Sequence, residues 1–536
     1  MLMKKILIAT LIFLPATIIN AQLSDAWVSD QGDGFYKNPV LDADYSDPDA
    51  IRVGDDYYMI ASSFNHVPGL PILHSRDLVN WTLIGHALKR QPPFDHFSKV
   101  QHGGGVWAPA IRYHKGEFYI YYPDPDFGIY LTKAKNINGP WSEPLMVLEG
   151  KGLIDPCPLW DDDGKAYLIY ALAGSRAGVK SILLVRPMNA AGTNITGDAV
   201  LVYAGHEQDP TIEGPKFHKR NGYYYIFAPA GGVSTGWQLV LRSKKIYGPY
   251  ERKVVMDQGS TIINGPHQGA WVDTKNGEHW FLHFQDKEAY GRVVHLQPMK
   301  WINDWPVIGE DADGDGRGQP VLRYRKPHAG KVYPKATPPD SDEFTGTHIG
   351  LQWQWQANPQ PHWAFLYQGH LRMYAAMVPD SLDNYWELPA LLMQKFPAAS
   401  FTATAKLRFH PKLMGEKAGL IVFGADYGYI SIEKKQEGNQ ISFTHCAKAD
   451  KGGKESVKEE ALLKGNEVYL RVSVKEGGIC TFSYSEDGIR FTASGSFMAR
   501  PGRWVGAKMG LFCTGTTKTN DAGYADIDWF RVAALQ

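Results

Sequence analysis

Excess charge, helical periodicity, cysteine and long apolar runs are all scarce in this chain. Its 536 residues carry 56 Lys+Arg against 56 Asp+Glu, a formal net charge of zero. There is no basic field to draw in a polyanion, which argues against nucleic acid as a main partner. Four cysteines, Cys157, Cys446, Cys480 and Cys513, are too widely spaced for a zinc pattern. They predict buried free thiols, with one disulfide among the last three as the lesser alternative. Helical periodicity is poor throughout, so almost no helix is expected. One apolar run stands out, residues 6–14 after Lys4 and Lys5, and it is too short to span a bilayer comfortably. With Ala21 at a small-residue cleavage point, it predicts a signal peptide over 1–21 and no membrane insertion after cleavage. The mature chain would start near Gln22, with no Cys there to carry a lipid. Export to the periplasm or beyond is the expectation.

Aromatic residues, by contrast, are plentiful: 16 Trp and 28 Tyr. Many recur in one theme. A polar turn with Gly leads into an aromatic strand at Gly54-Asp-Asp-Tyr-Tyr-Met-Ile-Ala61, Lys115-Gly-Glu-Phe-Tyr-Ile-Tyr-Tyr122, Asp163-Gly-Lys-Ala-Tyr-Leu-Ile-Tyr170, Asn221-Gly-Tyr-Tyr-Tyr-Ile-Phe227 and Asn276-Gly-Glu-His-Trp-Phe-Leu-His283. Turns of this type before β-rich runs are hairpin signals. A second strand follows each copy, as in residues 71–76 and 181–186. Five copies at intervals of roughly 50–60 residues predict an all-β repeat, a five-bladed β-propeller over 33–326. Prolines at 327, 334, 338 and 339 mark a linker over 327–340. Evenly spaced strands with turn signals then predict a β-sandwich over 341–536. Asp311-Ala-Asp-Gly-Asp-Gly316 starts like a calcium loop, but Leu322 stands where the loop's closing Glu belongs, so a surface loop is expected.

Three carboxylates occupy comparable places in different repeats. Asp47 lies in Tyr45-Ser-Asp-Pro-Asp49, Asp155 in Leu153-Ile-Asp-Pro156, and Glu213 in Thr211-Ile-Glu-Gly-Pro215. Any one Asp-Pro pair is ordinarily a turn, and Asp124-Pro125 and Asp209-Pro210 are read that way. Residues at the starts of innermost blade strands, however, converge on the propeller axis. Three acids meeting there suit glycosidic bond cleavage, which needs two carboxyl groups, one of them kept protonated.

Taken together, Asn38-Pro-Val40, Ser46-Asp-Pro-Asp49, His74-Ser-Arg-Asp-Leu-Val-Asn-Trp81, Val106-Trp-Ala-Pro-Ala-Ile111, Asp155-Pro with Asp161-Asp-Asp-Gly164, and Glu213-Gly-Pro215 resemble glycoside hydrolase family 43. The resemblance covers about residues 36–325, and the tail resembles the concanavalin-like sandwich that follows the propeller in many members. It implies inverting hydrolysis with Asp47 as general base, Glu213 as general acid, and Asp155 orienting Glu213 and raising its pKa. It further implies sugar contacts from Arg292, Trp107, Phe64 and Gln268. His267 matches a histidine that holds calcium in the propeller channel of several members. A weaker second calcium site would use Asp342 or Glu343 with Asp528. The implied partner is an oligo- or polysaccharide. Likeness of segments 64–69 and 265–269 to arabinofuranosidase-type members makes terminal α-L-arabinofuranose the first expectation and β-xylose the second. A retaining fructan hydrolase would want Arg before the central Asp-Pro and Cys after the Glu, but Ile154 and Gly214 stand there. A binding propeller that has lost catalysis would not need all three acids.

Overall fold

A computed structural model of the chain describes residues 23–535, so the expected signal peptide lies outside the described residues. Within them helix is confined to one four-residue segment, Gly174–Ala177, and three single turns. Five antiparallel four-stranded sheets, each built from consecutive strands, cover residues 49–88, 110–149, 153–204, 216–256 and 267–308. These are the five blades. Their hairpins form for the reason the turn residues suggest. Arg220 pairs with Tyr223 across Asn221 and Gly222, both of which are left-handed (φ 51° and 73°). That backbone twist matches the twist of the flanking strands, and Asn and Gly adopt it at least cost.

The aromatic runs are the second strands of the blades and the runs after them the third. The first strand of each blade precedes its aromatic run: Asp49–Val53, Ala110–His114, Leu153–Trp160, Lys216–Arg220 and His267–Asp273. Period-two alternation on the second strands holds the ring together. In blade two, Phe118, Ile120 and Tyr122 pack with Ile60 and Ile72 of blade one. Tyr119 and Tyr121 point the other way and pack with Leu168 and Tyr170 of blade three. Blades three and four, four and five, and five and one share cores in the same manner. The ring is also tied at the chain's crossing point. Phe35–Lys37 pairs with Arg323–Arg325, and the Asn38 side-chain amide donates to the carbonyls of Leu296 and Val321.

Residues beyond 340 form two packed sheets of eight and seven strands. The segment 327–340 between the two units is pinned rather than loose. The Ala336 amide donates to Asn80, and Ser24 bonds both Thr337 and Asp340. Docking is intimate. The Trp355 amide donates to the Val67 carbonyl (2.7 Å), and the Tyr290 ring joins the sandwich core, its hydroxyl accepting the Gly478 amide. All four cysteines are buried and unbonded.

Candidate active site

Asp47 sits two residues before the inner strand Asp49–Val53, and Glu213 three residues before Lys216–Arg220. Asp155 lies within Leu153–Trp160, where the register shifts at a bulge between Ile154 and Cys157. Asp47 and Asp155 are both held at positive φ (54° and 55°). A left-handed non-glycine residue costs about 1–2 kcal/mol, so these placements are enforced by their surroundings. Gly214, also at positive φ, is where the chain turns after Glu213. Its amide donates to Asp155 Oδ2 (2.7 Å), which fixes blade four's acid against blade three's. The Cys157 thiol accepts the Phe217 amide (3.2 Å) and reinforces the same junction.

The three carboxyl groups have opposite surroundings. Asp47 accepts from Ser46 (2.8 Å) and Ser62 (2.5 Å) and pairs with Arg292 at 3.3 Å. Each of these hydrogen-bond partners is a donor, a setting that suits the ionised carboxylate. Glu213 accepts no comparable set of donors. Burial at the base of the site, then the charge of Asp155, push its pKa well above the ordinary carboxyl range. Burial raises Asp155 as well, against the Gly214 amide and the buried Lys216 ammonium, which favour its charge. The two shifts run in the same direction, so the pair favours carrying a proton, and Asp155 is the member whose charge an amide donor supports. The Glu213 side chain keeps 24% of its exposure, so the carboxyl remains accessible from outside.

The remaining expected residues collect around this centre. The Arg292 guanidinium lies over Phe284 (4.9 Å) and bonds Ser46 (2.9 Å) as well as Asp47, so its first task is to hold the base. Trp107 and Phe64 meet edge to face at 6.4 Å, and the Trp107 indole donates to the Gly103 carbonyl. Gln268 packs on Gly214, and its Oε1 is buried with no partner in the protein. An orphaned acceptor of this kind suits a sugar hydroxyl.

Three contributors escaped the sequence reading. Trp504, from the sandwich, packs edge to face on Trp107 (6.0 Å) and lies 5.6 Å from the Arg292 guanidinium. Asp44 accepts the amides of Arg292 (3.0 Å) and of sandwich Gly506 (2.9 Å). Ser62 reaches Asp47 from the adjoining strand. No local pattern marks any of them, because each acts through a neighbour distant in sequence. Asp209 also departs from expectation. Rather than a simple turn residue it is a buried anchor for Arg252 (2.6 and 2.8 Å) and the Trp237 indole.

The residues named for calcium lie in two different settings. His267 is buried, and burial pushes its pKa down to about 3, so it is neutral. Its Nε2 lies 3.4 Å from Glu213 Oε1. Among the described residues the three-ligand acidic cluster is elsewhere, at Asp311, Asp313 and Asp315. Calcium takes six to eight oxygens, so His267 would hold the ion only together with water ligands. The sandwich acids are engaged otherwise. Asp342 caps the Phe344 and Gly350 amides, Glu343 pairs with Arg531, and Asp528 pairs with Lys406. The Asp311 loop is a set of turns whose carboxylates accept its own amides.

Comparison with known proteins agrees with this geometry. The profile of glycosyl hydrolases family 43 matches residues 36–306, and that of the beta xylosidase C-terminal concanavalin A-like domain matches 341–533. The chain is 40% identical to a candidate beta-xylosidase of Xylanibacter ruminicola, over 90% of this chain and 87% of that one. It is 34% identical to a beta-xylosidase of Formosa agariphila (96% and 93% covered) and 30% identical to a non-reducing end alpha-L-arabinofuranosidase of Bacteroides ovatus (93% and 95%). Among solved structures, the family 43 protein of Bacillus licheniformis superposes with a TM-score of 0.81 at 28% identity, covering 94% of this chain and all of that one. Two profiles in the order that the two folded units follow, with three acids brought to one pole of the propeller, make the chain a member of glycoside hydrolase family 43.

Proposed function

We propose that this family 43 enzyme is an exo-acting, inverting β-xylosidase that removes terminal xylose from xylan-type chains. The observation that carries the hydrolytic reading is the contrast between Asp47, whose hydrogen-bond partners are all donors, and half-buried Glu213, whose pKa burial and the nearby Asp155 push upward. Asp47 takes a proton from a water that attacks the anomeric carbon. Glu213 gives its proton to the departing glycosidic oxygen as that bond breaks. The products are xylose of inverted configuration and a chain shorter by one residue. Inversion needs about 6.5–9.5 Å between the two carboxyls, room for the water.

The choice of sugar follows the relatives. Those at 40% and 34% identity carry β-xylosidase names, and the arabinofuranosidase is more distant at 30%. The segment that favoured arabinofuranose has other work. Asn65 donates to the Gln356 carbonyl (2.7 Å), Val67 pairs with Trp355, and His66 is buried between them. These contacts with the sandwich leave Asn65 and Val67 less free to select a sugar, which weakens that part of the arabinofuranose expectation. Arabinofuranose remains the second reading, supported by the Bacteroides ovatus relative. Release from nitrophenyl β-xyloside, nitrophenyl α-arabinofuranoside and arabinoxylan decides between them, and arabinose alone would reverse the order. Proton NMR of the first-formed sugar tests inversion: β-xylose as initial product would refute it. Export belongs to the same proposal, and N-terminal sequencing of the mature protein near Gln22 tests it.

A further inference from the structure

The outward face of the seven-stranded sheet is built unlike ordinary solvated sheet surface. Along Phe401–His410, odd-numbered residues enter the core while Thr402, Thr404 and Lys406 face outward. The register sets Thr404 between Arg471 and Arg531, Lys406 between Tyr469 and Trp529, and Thr402 beside Ser473. Hydroxyls, guanidinium groups and rings therefore stand in successive rows. Together with Phe491 they line an open cleft of about 540 Å³.

Arg471 is the unusual member. Its guanidinium lies 3.4 Å from the centre of the Phe491 ring, and its Nε donates to Thr404 Oγ1 (3.0 Å). Across the sheet Arg531 is neutralised by both oxygens of Glu343. Arg471 has no carboxylate within salt-bridge distance among the described residues, and burial alone shifts its pKa, downward. A half-buried cation without a counter-ion is costly to maintain. Its fork lies over the ring, and among the described residues the outer nitrogens have no protein partner, an arrangement that matches a carboxylate. Trp529 and Tyr469, 6.0 Å apart, present rings beside it.

We infer that this face is a second, non-catalytic saccharide site that binds a polysaccharide segment bearing a uronic acid group. Arg471 takes the uronate carboxylate. Trp529 and Tyr469 carry the C–H faces of adjoining pyranose rings, and Thr402, Thr404 and Ser473 meet their hydroxyls. The site rests on the reading that the enzyme meets polysaccharide, but not on which pentose it releases.

Calorimetric titration of the full chain carrying Glu213→Ala, so that ligand is not consumed, tests it with two probes: xylotetraose with a glucuronic acid branch, and plain xylotetraose. The branched probe binds more tightly. Arg471→Gln and Trp529→Ala each weaken that binding about tenfold or more, and Arg471→Lys, which keeps charge without the fork, restores only part of it. With Glu213 intact, the same surface variants turn over nitrophenyl glycosides at the unaltered rate. Equal binding of both probes, no binding of the branched probe, or binding that Arg471→Gln leaves unchanged would overturn the proposal. So would sedimentation showing a dimer that Arg471→Gln dissociates, since the face would then belong to a second copy. A chain that binds the branched probe but releases no pentose would instead refute the catalytic reading alone.

Discussion

At the scale of single residues, the division of labour among Asp47, Asp155 and Glu213 makes separable predictions. Glu213→Ala should lower turnover of xylo-oligosaccharides by about 10²–10⁴-fold while sparing aryl glycosides with good leaving groups, which need little protonation. Asp47→Ala should remove both activities, because no substrate escapes the need for an activated water. Steady-state kinetics on the two substrate types checks this, and equal loss in Glu213→Ala would refute the acid role. The pH profile offers a second test. Activity needs Glu213 protonated, so it falls as pH rises through that group's raised pKa. After burial, the charge of Asp155 is the main cause of the elevation. Asp155→Asn keeps an acceptor for the Gly214 amide and removes the charge, so the alkaline limb of kcat should move to lower pH. An unmoved limb would mean that burial alone sets the proton. Much of this was legible in residues 47, 155 and 213, because Asp-Pro and Glu-Gly-Pro are local patterns. The Ser62 bond to Asp47 was not, since its meaning depends on strand pairing.

At the scale of elements, the turn after Glu213 is the tightest constraint. A Cβ on Gly214 would stand 2.6 Å from Gln268 Cγ and 3.1 Å from Pro229 Cδ, on a backbone with φ of +59°. Gly214→Ala should therefore cost about 1–2 kcal/mol in backbone strain alone and displace the bond to Asp155. A lower Tm with a disproportionate fall in kcat is the expected result. The hairpins and aromatic strands were readable because Gly turns and period-two alternation are local. The inner strands were not. Lys216–Arg220 and Asp49–Val53 are short, the first largely polar and the second mixed, and each is paired along its length with an aromatic strand. Asn65 and Val67 show the same dependence on distant partners: beside Phe64 in sequence, they bond Gln356 and Trp355 of the sandwich.

At the scale of the whole molecule, the sandwich is part of the active site. Trp504 stands at its rim, and Asp44 joins the Arg292 amide to Gly506 across the domain boundary. Asp44→Ala would leave two buried amides unpaired, at about 1–3 kcal/mol each, and would remove a counter-charge near the buried Lys395 and Lys508. We expect a lower Tm and a reduced kcat/KM, measured by calorimetry and by xyloside hydrolysis. A chain ending at residue 326 should fail to give soluble, active protein, because Tyr290 and the 65–68 edge lose their cover. Soluble yield and circular dichroism check that outcome, and an active isolated propeller would contradict it.

By itself the sequence determined the repeat, the two fold types and the three acids, since turn chemistry, alternation and short motifs are properties of neighbouring residues. Only the tertiary structure brought Asp44, Ser62 and Trp504 around Asp47 and Arg292, seated Asn65 and Val67 against the sandwich, and set His267 beside Glu213. Each of those depends on contacts between residues far apart in the chain, and such contacts exist only once the blades close and the sandwich docks.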